Sequence, residues 1–145
     1  MKRAHIIVSI LLAGLGACAP ATASGPAPAP CGPGMKPMVR DVLYFGRSIP
    51  GGGTVNDSAW TKFVAEVITP AFPDGFTVTS GMGQWRDAGG NIVSESSMIV
   101  TITRPDTGDN EAAVLGLGER YRVIFHQEAV MHEHANVCVS FVGGA

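Results

Sequence analysis

Two patterns of apolar residues divide the chain into predicted strands and predicted helices. Short β-branched and aromatic stretches, several of them alternating with polar residues, are typical of strands. Apolar residues spaced three and four positions apart are typical of a helix with one buried face. The first pattern predicts strands over Val42–Gly46, Phe76–Trp85, Ile92–Thr103 and Ala129–Phe141, the last of them interrupted near Asn136. The second predicts two helices, one that begins after Asn56 and is stopped by Pro70, and one that begins within 106–110 and continues to Phe125.

The predicted order β-α-β-β-α-β indicates an α+β fold of the ferredoxin-like kind. Two right-handed crossovers give a four-stranded antiparallel sheet in the spatial order 4-1-3-2, with both helices on one face. The opposite face is then open, and apolar residues on it must meet a ligand, a partner chain or loops. If Leu43 and Phe45 face the helices, Tyr44 lies on the open face, where Glu95 of the third strand is an expected neighbour.

The N-terminus has the three parts of a secretory signal. Two basic residues precede an apolar stretch, and small residues then lead to Cys18. This pattern predicts a lipoprotein signal peptide over 1–17, cleavage before Cys18 and attachment of a lipid to its sulfur. The alternative is cleavage after Ala23, which would release a soluble protein that begins at Ser24. The apolar stretch, about ten residues, is too short to span a bilayer as a helix.

The lipid on Cys18 makes the membrane the expected partner. Ala19 occupies the position where an aspartate would favour the inner membrane, so we expect an exported protein in the outer membrane that faces the periplasm. Residues 18–39 are rich in proline and alanine, which is typical of an extended tether, and 40–145 is the size of a single domain. Acidic residues outnumber basic ones beyond the signal peptide and no basic stripe is present, which disfavours nucleic-acid binding.

The lipid also accounts for one of three cysteines. Cys31 precedes the first predicted strand, and Cys138 lies in the last one. These strands are antiparallel neighbours in the predicted sheet, so the two residues lie at the same end, and an oxidising compartment favours a disulfide between them. The alternatives are two unpaired thiols or a catalytic Cys138. The apolar alternation around Cys138 suits a structural role better than a reactive one.

Polar residues gather near the tryptophan that ends the second strand. Gln84 and Arg86 flank Trp85, and they could line a pocket in which Arg86 recognises a carboxylate or a phosphate. The alternative is a structural hairpin end whose side chains satisfy backbone groups. Glu95 is a candidate general base, or else the partner of Arg86 across the hairpin. The candidate binding residues are Tyr44, Gln84, Trp85, Arg86, Glu95 and Gln127.

No cofactor and no metal ion are expected. His132 and His134 lie two residues apart, hence on one face of a strand, and His126 is nearby in sequence. This spacing can hold zinc or copper, but the sequence fixes no further ligand set. The glycine run 51–53 leads to a helix without the Lys-Ser/Thr pair of a phosphate-binding loop, so we interpret it as a flexible turn. No local sequence supports a catalytic nucleophile.

Several strings of the domain match the pattern of a known family. The matching strings are Leu43–Gly46, Trp60 with Phe63, Thr69–Val78, Gly83–Arg86, Glu95–Ser97, Phe125–Val130 and Cys138–Phe141. Together they resemble the bacterial envelope family called domain of unknown function three-five-seven-four, over essentially the whole of 31–141. The resemblance implies a fold and a location, and no activity. This chain has Ala71 where the family usually has arginine and Ala129 where it usually has serine.

The anchor, the tether and the lack of a catalytic set favour a non-catalytic envelope lipoprotein that binds a small molecule or a protein. The alternative is a small cofactor-independent enzyme of the dimeric α/β-barrel type, such as a monooxygenase or an isomerase. There, two open sheet faces would enclose a pocket that contains Tyr44, Gln84, Trp85 and Glu95. A homodimer over the open face is the partner that this alternative requires.

Overall fold

The computed structural model describes residues 30–143. The predicted signal peptide, Cys18 and the first part of the predicted tether lie outside the described residues. The four strands are β1 (Lys36–Gly46), β2 (Thr77–Arg86), β3 (Ile92–Arg104) and β4 (Met131–Val139). The helices are α1 (Asp57–Phe63), which continues through a π-helical turn (Val64–Ile68) into the short α2 (Thr69–Ala71), and α3 (Gly108–Ile124).

The sheet confirms the predicted α+β fold and strand order. Its order is β2-β3-β1-β4, and all three neighbouring pairs are antiparallel. The two helical segments connect β1 to β2 and β3 to β4, as in the predicted β-α-β-β-α-β arrangement. Within residues 30–143, no helix is long and apolar enough to cross a membrane.

Alternate residues of the central strands separate the two faces of the sheet. Leu43 and Phe45 of β1 are buried beneath the helices, together with Val100 and Ile102 of β3. The Phe45 ring lies 4.8 Å from the Tyr121 ring of α3 and 5.5 Å from the Trp60 ring of α1, measured between centroids. This aromatic cluster fixes both helices on one face and leaves the other face open.

The first helix begins as predicted and ends one residue later than predicted. The Asn56 side chain caps it by accepting a hydrogen bond from the Ala59 amide at 2.9 Å. Pro70 does not stop the helix, because it lies inside α2. A proline ring interferes with the preceding turn of a regular helix, and here that turn is the wider π-helical one. The chain then leaves the helix at Phe72.

Two strand boundaries also differ from the sequence prediction. β1 begins at Lys36, six residues before the predicted Val42, and so includes the last residues assigned to the tether. β4 is continuous, since Asn136 keeps its place in the ladder opposite Val39 and does not interrupt the strand. The longer β1 pairs with β4 from Lys36 to Tyr44, which brings Pro37 opposite Cys138.

The predicted disulfide between Cys31 and Cys138 is confirmed. The two Cα atoms are 5.6 Å apart, within the usual range for a disulfide. The bond closes a loop of 107 residues and ties the chain that precedes β1 to the edge strand β4. In the chain-entropy model a loop of this size stabilises the fold by up to about 4–5 kcal/mol.

Candidate functional site

A cavity of about 620 Å³ opens on the helix-free face of the sheet. Its floor is the end of β1 and the middle of β3, and the β2–β3 hairpin forms one wall. The loop that follows β1 and the segment that leads into β4 form the others. Five of the six candidate residues line it: Tyr44, Gln84, Trp85, Glu95 and Gln127.

Glu95 lies at the floor of the cavity, where a glycine makes room for it. Its Oε1 accepts a hydrogen bond from the Ser48 amide at 2.8 Å. Gly46 lies directly beneath the carboxylate, so that a Cβ added there would come within 2.6 Å of Glu95 Oε2. The carbonyl of the same glycine accepts a hydrogen bond from the Tyr121 hydroxyl at 2.8 Å. Gly46 therefore couples the buried aromatic cluster to the carboxylate of the cavity.

Gln127 is buried and holds the neighbouring loop. Its Nε2 donates to the Ser48 carbonyl at 2.9 Å and to the Phe125 carbonyl at 3.2 Å. Glu95 and Gln127 thus bind the two backbone groups of one residue, Ser48. Since Ile49 and Pro50 follow directly and line the cavity, both side chains shape its wall by fixing this loop.

Apolar side chains make up much of the remaining lining. Trp85 is 38% exposed and lies on the same face of the hairpin as Val93, its partner in β3. Tyr44 lies across the floor, and its hydroxyl donates to Glu133 Oε1 of β4 at 3.1 Å. An aromatic surface in a cleft of this size is typical of a site for a small organic molecule.

The charged groups of the lining are all acidic. Asp87, Glu95 and Glu128 line the cavity, and no lysine or arginine is among the described residues that do so. Backbone and side-chain hydrogen bonds from Asn91 hold the pKa of Asp87 below its ordinary value, so this carboxylate stays ionised. Glu128 accepts a hydrogen bond from the Ala88 amide at 3.3 Å and connects the hairpin turn to the segment before β4. The charged side chains that line the cavity are therefore all of negative sign.

Arg86 does not belong to this site. Arg86 pairs with Ile92 in the hairpin, and Glu95 pairs with Gly83. Successive strand residues point to opposite faces, so this register places the two side chains on opposite sides of the sheet and excludes the predicted ion pair. Arg86 instead donates to the Gly90 carbonyl at 2.6 Å, which is the structural hairpin role considered as its alternative.

Several residues of the site had no signal in the sequence. Ser48 contributes backbone groups alone, which no side-chain pattern reveals. The glycine run 51–53, interpreted as a flexible turn, closes a small loop in which Ser48 bridges Thr54. Arg47 secures that loop by donating from Nε to the Val55 carbonyl at 2.7 Å. The Leu43–Gly46 string was the available signal for this part of the site, although not for the role of its glycine.

A second polar cluster lies on the opposite, helix-covered face. Asp41 of β1 is completely buried, and its Oδ1 lies 2.7 Å from His132 Nε2 and 2.8 Å from His134 Nδ1 of β4. Its Oδ2 accepts a hydrogen bond from Arg104 Nε at 2.7 Å. Burial raises the pKa of Asp41, but the hydrogen bonds from both histidines and from Arg104 outweigh it and keep the pKa below its ordinary value. Asp41 of β1, with His132 and His134 of β4, forms a group that could hold a metal ion.

The comparison with protein families bears out the resemblance seen in the sequence. The family described as "Protein of unknown function (DUF3574)" matches residues 40–141. The chain belongs to this family. A search of the curated proteins found no match. Ala129, one of the two positions expected to differ from the family, lines the cavity with a methyl group.

Two solved structures with the same fold as this DUF3574 member come from a phage enzyme. The phage SAM lyase in complex with S-methyl-5'-thioadenosine is 17% identical, with a TM-score of 0.57 over 78% of this chain and 95% of that one. The same lyase in its apo state is also 17% identical, with a TM-score of 0.54 over 72% of this chain and 90% of that one. At this identity the likeness shows a shared fold.

Proposed function

We propose that the protein is an exported, lipid-anchored binding module whose open-face cavity takes a small cationic molecule with an aromatic or apolar part. The observation that carries the proposal is the lining of the cavity: three carboxylates, a partly exposed tryptophan and no basic side chain among the described residues. A cation near the Trp85 ring gains a cation–π attraction, and Glu95 can pair with its charge. An anionic ligand finds no partner in this lining.

Matched ligands test the charge preference. Calorimetric titration of the purified protein with phenethylamine, 2-phenylethanol and 3-phenylpropionate compares a cation, a neutral molecule and an anion of similar shape. We expect the cation to bind at least about tenfold tighter than the neutral compound, which is about 1.4 kcal/mol. S-methyl-5'-thioadenosine, which the fold-related phage lyase binds, serves as a neutral nucleoside probe of the same cavity.

Two variants locate the binding. Glu95→Gln should lower the affinity for the cation and leave the affinity for the neutral compound unchanged, while Trp85→Ala should lower both affinities. Ser94→Ala is the matched control, because Ser94 is exposed, lies beside Glu95 in β3 and does not line the cavity. Equal affinity for the anion and the cation, or binding that both cavity variants leave unchanged, contradicts the proposal.

An enzyme of the dimeric α/β-barrel type is the second candidate. The observation that favours it is the half-buried Glu95 carboxylate in the same cavity as the Tyr44 hydroxyl, which gives a base and a donor close to one ligand. Light scattering on the purified protein separates the two candidates. A dimer that turns over a bound ligand and loses turnover in Glu95→Gln supports the enzyme, and a strict monomer opposes it.

The lipid anchor rests on the sequence before residue 30 and is tested separately. Metabolic labelling with palmitate should mark the wild-type chain and leave Cys18→Ala unlabelled. Mass spectrometry of the mature protein should find a lipid-modified N-terminus at Cys18. An unmodified N-terminus at Ser24 would show that the protein is released as a soluble one.

A further inference from the structure

Asp41, His132 and His134 form a compact group of potential metal ligands on the face of the sheet opposite the cavity. Their ligand atoms all lie within 4.8 Å of one another. Asp41 and His134 are directly opposite each other across β1 and β4, and His132 lies two residues along β4 on the same face. Two adjacent strands therefore present all three side chains from a paired backbone, which positions a site more precisely than loops do.

The chemistry of the donors selects a class of ion. Two imidazole nitrogens and one carboxylate oxygen are typical ligands of zinc and its neighbours among the divalent transition metals. Calcium and magnesium prefer oxygen ligands and would gain little from the two histidines. Three protein ligands leave at least one coordination position open, as in metal sites that bind water or an external ligand.

Arg104 supplies the support that such ligands usually receive. Its Nε holds Asp41 Oδ2 at 2.7 Å, so that Oδ1 is directed to the two histidines. Arg104 lies on β3, next to β1 on the side away from β4, and is 3% exposed. Hydrogen bonds of this kind fix the orientation of a ligating carboxylate. The arginine charge also offsets that of Asp41, which would weaken the affinity for a cation without abolishing it.

The cluster is open to solvent on its histidine side. The side chains of His132 and His134 are 22% and 41% exposed, whereas Asp41 is completely buried. His132 also lines a groove of about 290 Å³ beside α3, together with Glu119 and Glu128. An ion can therefore reach the cluster directly, without any opening of the core.

Hydrogen bonds from the two histidines would satisfy the buried Asp41 carboxylate without a metal ion. The distances between the ligand atoms distinguish this arrangement from a metal-bound one. The nitrogens are 2.7 and 2.8 Å from Asp41 Oδ1, which is hydrogen-bond spacing. Around a tetrahedral ion with bonds of about 2.0–2.1 Å, neighbouring ligand atoms are roughly 3.3 Å apart. A widening of roughly half an ångström, within reach of small side-chain rotations on an edge strand, would admit the ion.

We propose that Asp41, His132 and His134 bind one divalent transition-metal ion such as zinc, with Arg104 orienting the carboxylate. Both ring nitrogens that now face Asp41 would give up their protons and direct their lone pairs to the ion. The remaining coordination position would face the solvent at the β4 edge. The three ligands lie across the sheet from the open-face cavity and do not line it.

Zinc titration of the full-length protein, purified without a polyhistidine tag, tests the site. We expect one zinc ion per chain with micromolar or tighter affinity. One equivalent of Co²⁺ should give the intense visible absorption of a four- or five-coordinate ion. In nitrogen-15 spectra, Co²⁺ should broaden the ring signals of His132 and His134 and leave those of His126 sharp.

The variants replace the ligands while keeping their hydrogen bonds. In His132→Gln and His134→Asn, an amide N–H takes the place of Nε2 and Nδ1, respectively, so Asp41 keeps its donors but the ion loses its nitrogens. The double variant should bind zinc at least about tenfold more weakly. His126→Asn is the control, because His126 has a φ of 53°, which asparagine tolerates, and lies outside the cluster.

Three results would overturn the proposal. One is a zinc affinity of wild type that is weaker than micromolar. Another is equal affinity in the folded double variant. The third is Co²⁺ broadening that affects His126 as strongly as the two cluster histidines, a measurement on wild type that stands even if the double variant fails to fold.

Discussion

Leu43 and Phe45 are almost completely buried beneath the helices, whereas Tyr44 between them remains half-exposed on the other face of the same strand. On the covered face, side chains contact one another in an aromatic cluster. On the open face, they surround a cavity of about 620 Å³. The difference teaches that successive residues of β1 serve separate purposes, since those of one parity stabilise the fold and those of the other are free to meet a ligand.

The covered face also contains a charged cluster around Asp41, and on β1 the residue Gly46 contacts both faces. Asp41 follows the buried parity, yet it is charged, and its histidine partners on the edge strand β4 are partly exposed. Gly46 gives its carbonyl to Tyr121 on one side and its space to Glu95 on the other. Each departure from simple alternation coincides with a candidate site.

The largest expected effect on stability comes from Phe45 on the covered face, compared with its sequence neighbour Tyr44 on the open face. Phe45→Ala should lower the free energy of unfolding by about 3–5 kcal/mol, because it leaves a void among Trp60, Phe63 and Tyr121. Tyr44→Ala removes a hydrogen bond to Glu133 at the surface and should cost about 1 kcal/mol. Urea unfolding followed by circular dichroism measures both. Equal losses would mean that the open face is as tightly packed as the covered one.

A smaller effect on stability is expected from the Tyr121 hydroxyl, which binds the Gly46 carbonyl. Burial raises the pKa of Tyr121 well above its ordinary value of 10.0, and the Glu95 charge adds to the rise while Arg47 opposes it. Because the folded pKa lies above the unfolded one, this group's contribution to stability is complete below about pH 10 and is lost as the pH rises further. Tyr121→Phe also loses the bond to the Gly46 carbonyl, at about 1 kcal/mol.

Urea midpoints at pH 7 and at pH 10.5 separate these two consequences. Tyr121→Phe should have a lower free energy of unfolding than wild type at pH 7. This difference should be smaller at pH 10.5, because wild type alone has a phenol at position 121 that ionises when the chain unfolds. A gap of the same size at both pH values would show that the Tyr121 hydroxyl does not titrate with unfolding.

The alternation along β1 was enough to predict that Leu43 and Phe45 share one face and that Tyr44 lies on the other, although not which face the helices cover. The β-α-β-β-α-β order was enough to predict which strands are neighbours, and that order placed Cys31 and Cys138 at the same end of the sheet. The pairing of Glu95 with Arg86 failed because it needs the register of the hairpin, and a shift of one residue exchanges the faces. The turn sequence did not fix that register.

Asp41 was missed for a different reason. Its histidine partners lie more than ninety residues away in sequence, and they meet it only once β1 and β4 are aligned. Pro70 and Asn136 were overestimated as breaks, because local preference yields to a π-helical turn in one case and to a complete strand ladder in the other. The sequence therefore predicts elements and faces well, and long-range polar clusters poorly.

The smallest expected effect on stability comes from a substitution on α3, and it tests whether this surface of the helix takes part in binding. Gly116 lies within α3, and a Cβ built there has no heavy atom within 4 Å. Gly116→Ala should therefore stabilise the fold by about 0.5–1 kcal/mol, through the lower conformational entropy of the unfolded chain, and leave ligand binding unchanged. Gly46→Ala is the contrasting variant, because its new methyl group would displace the Glu95 carboxylate and weaken binding of a cation. Urea unfolding and calorimetric titration of both variants measure the contrast. A loss of stability in Gly116→Ala would indicate that this surface of α3 contacts something beyond the domain itself.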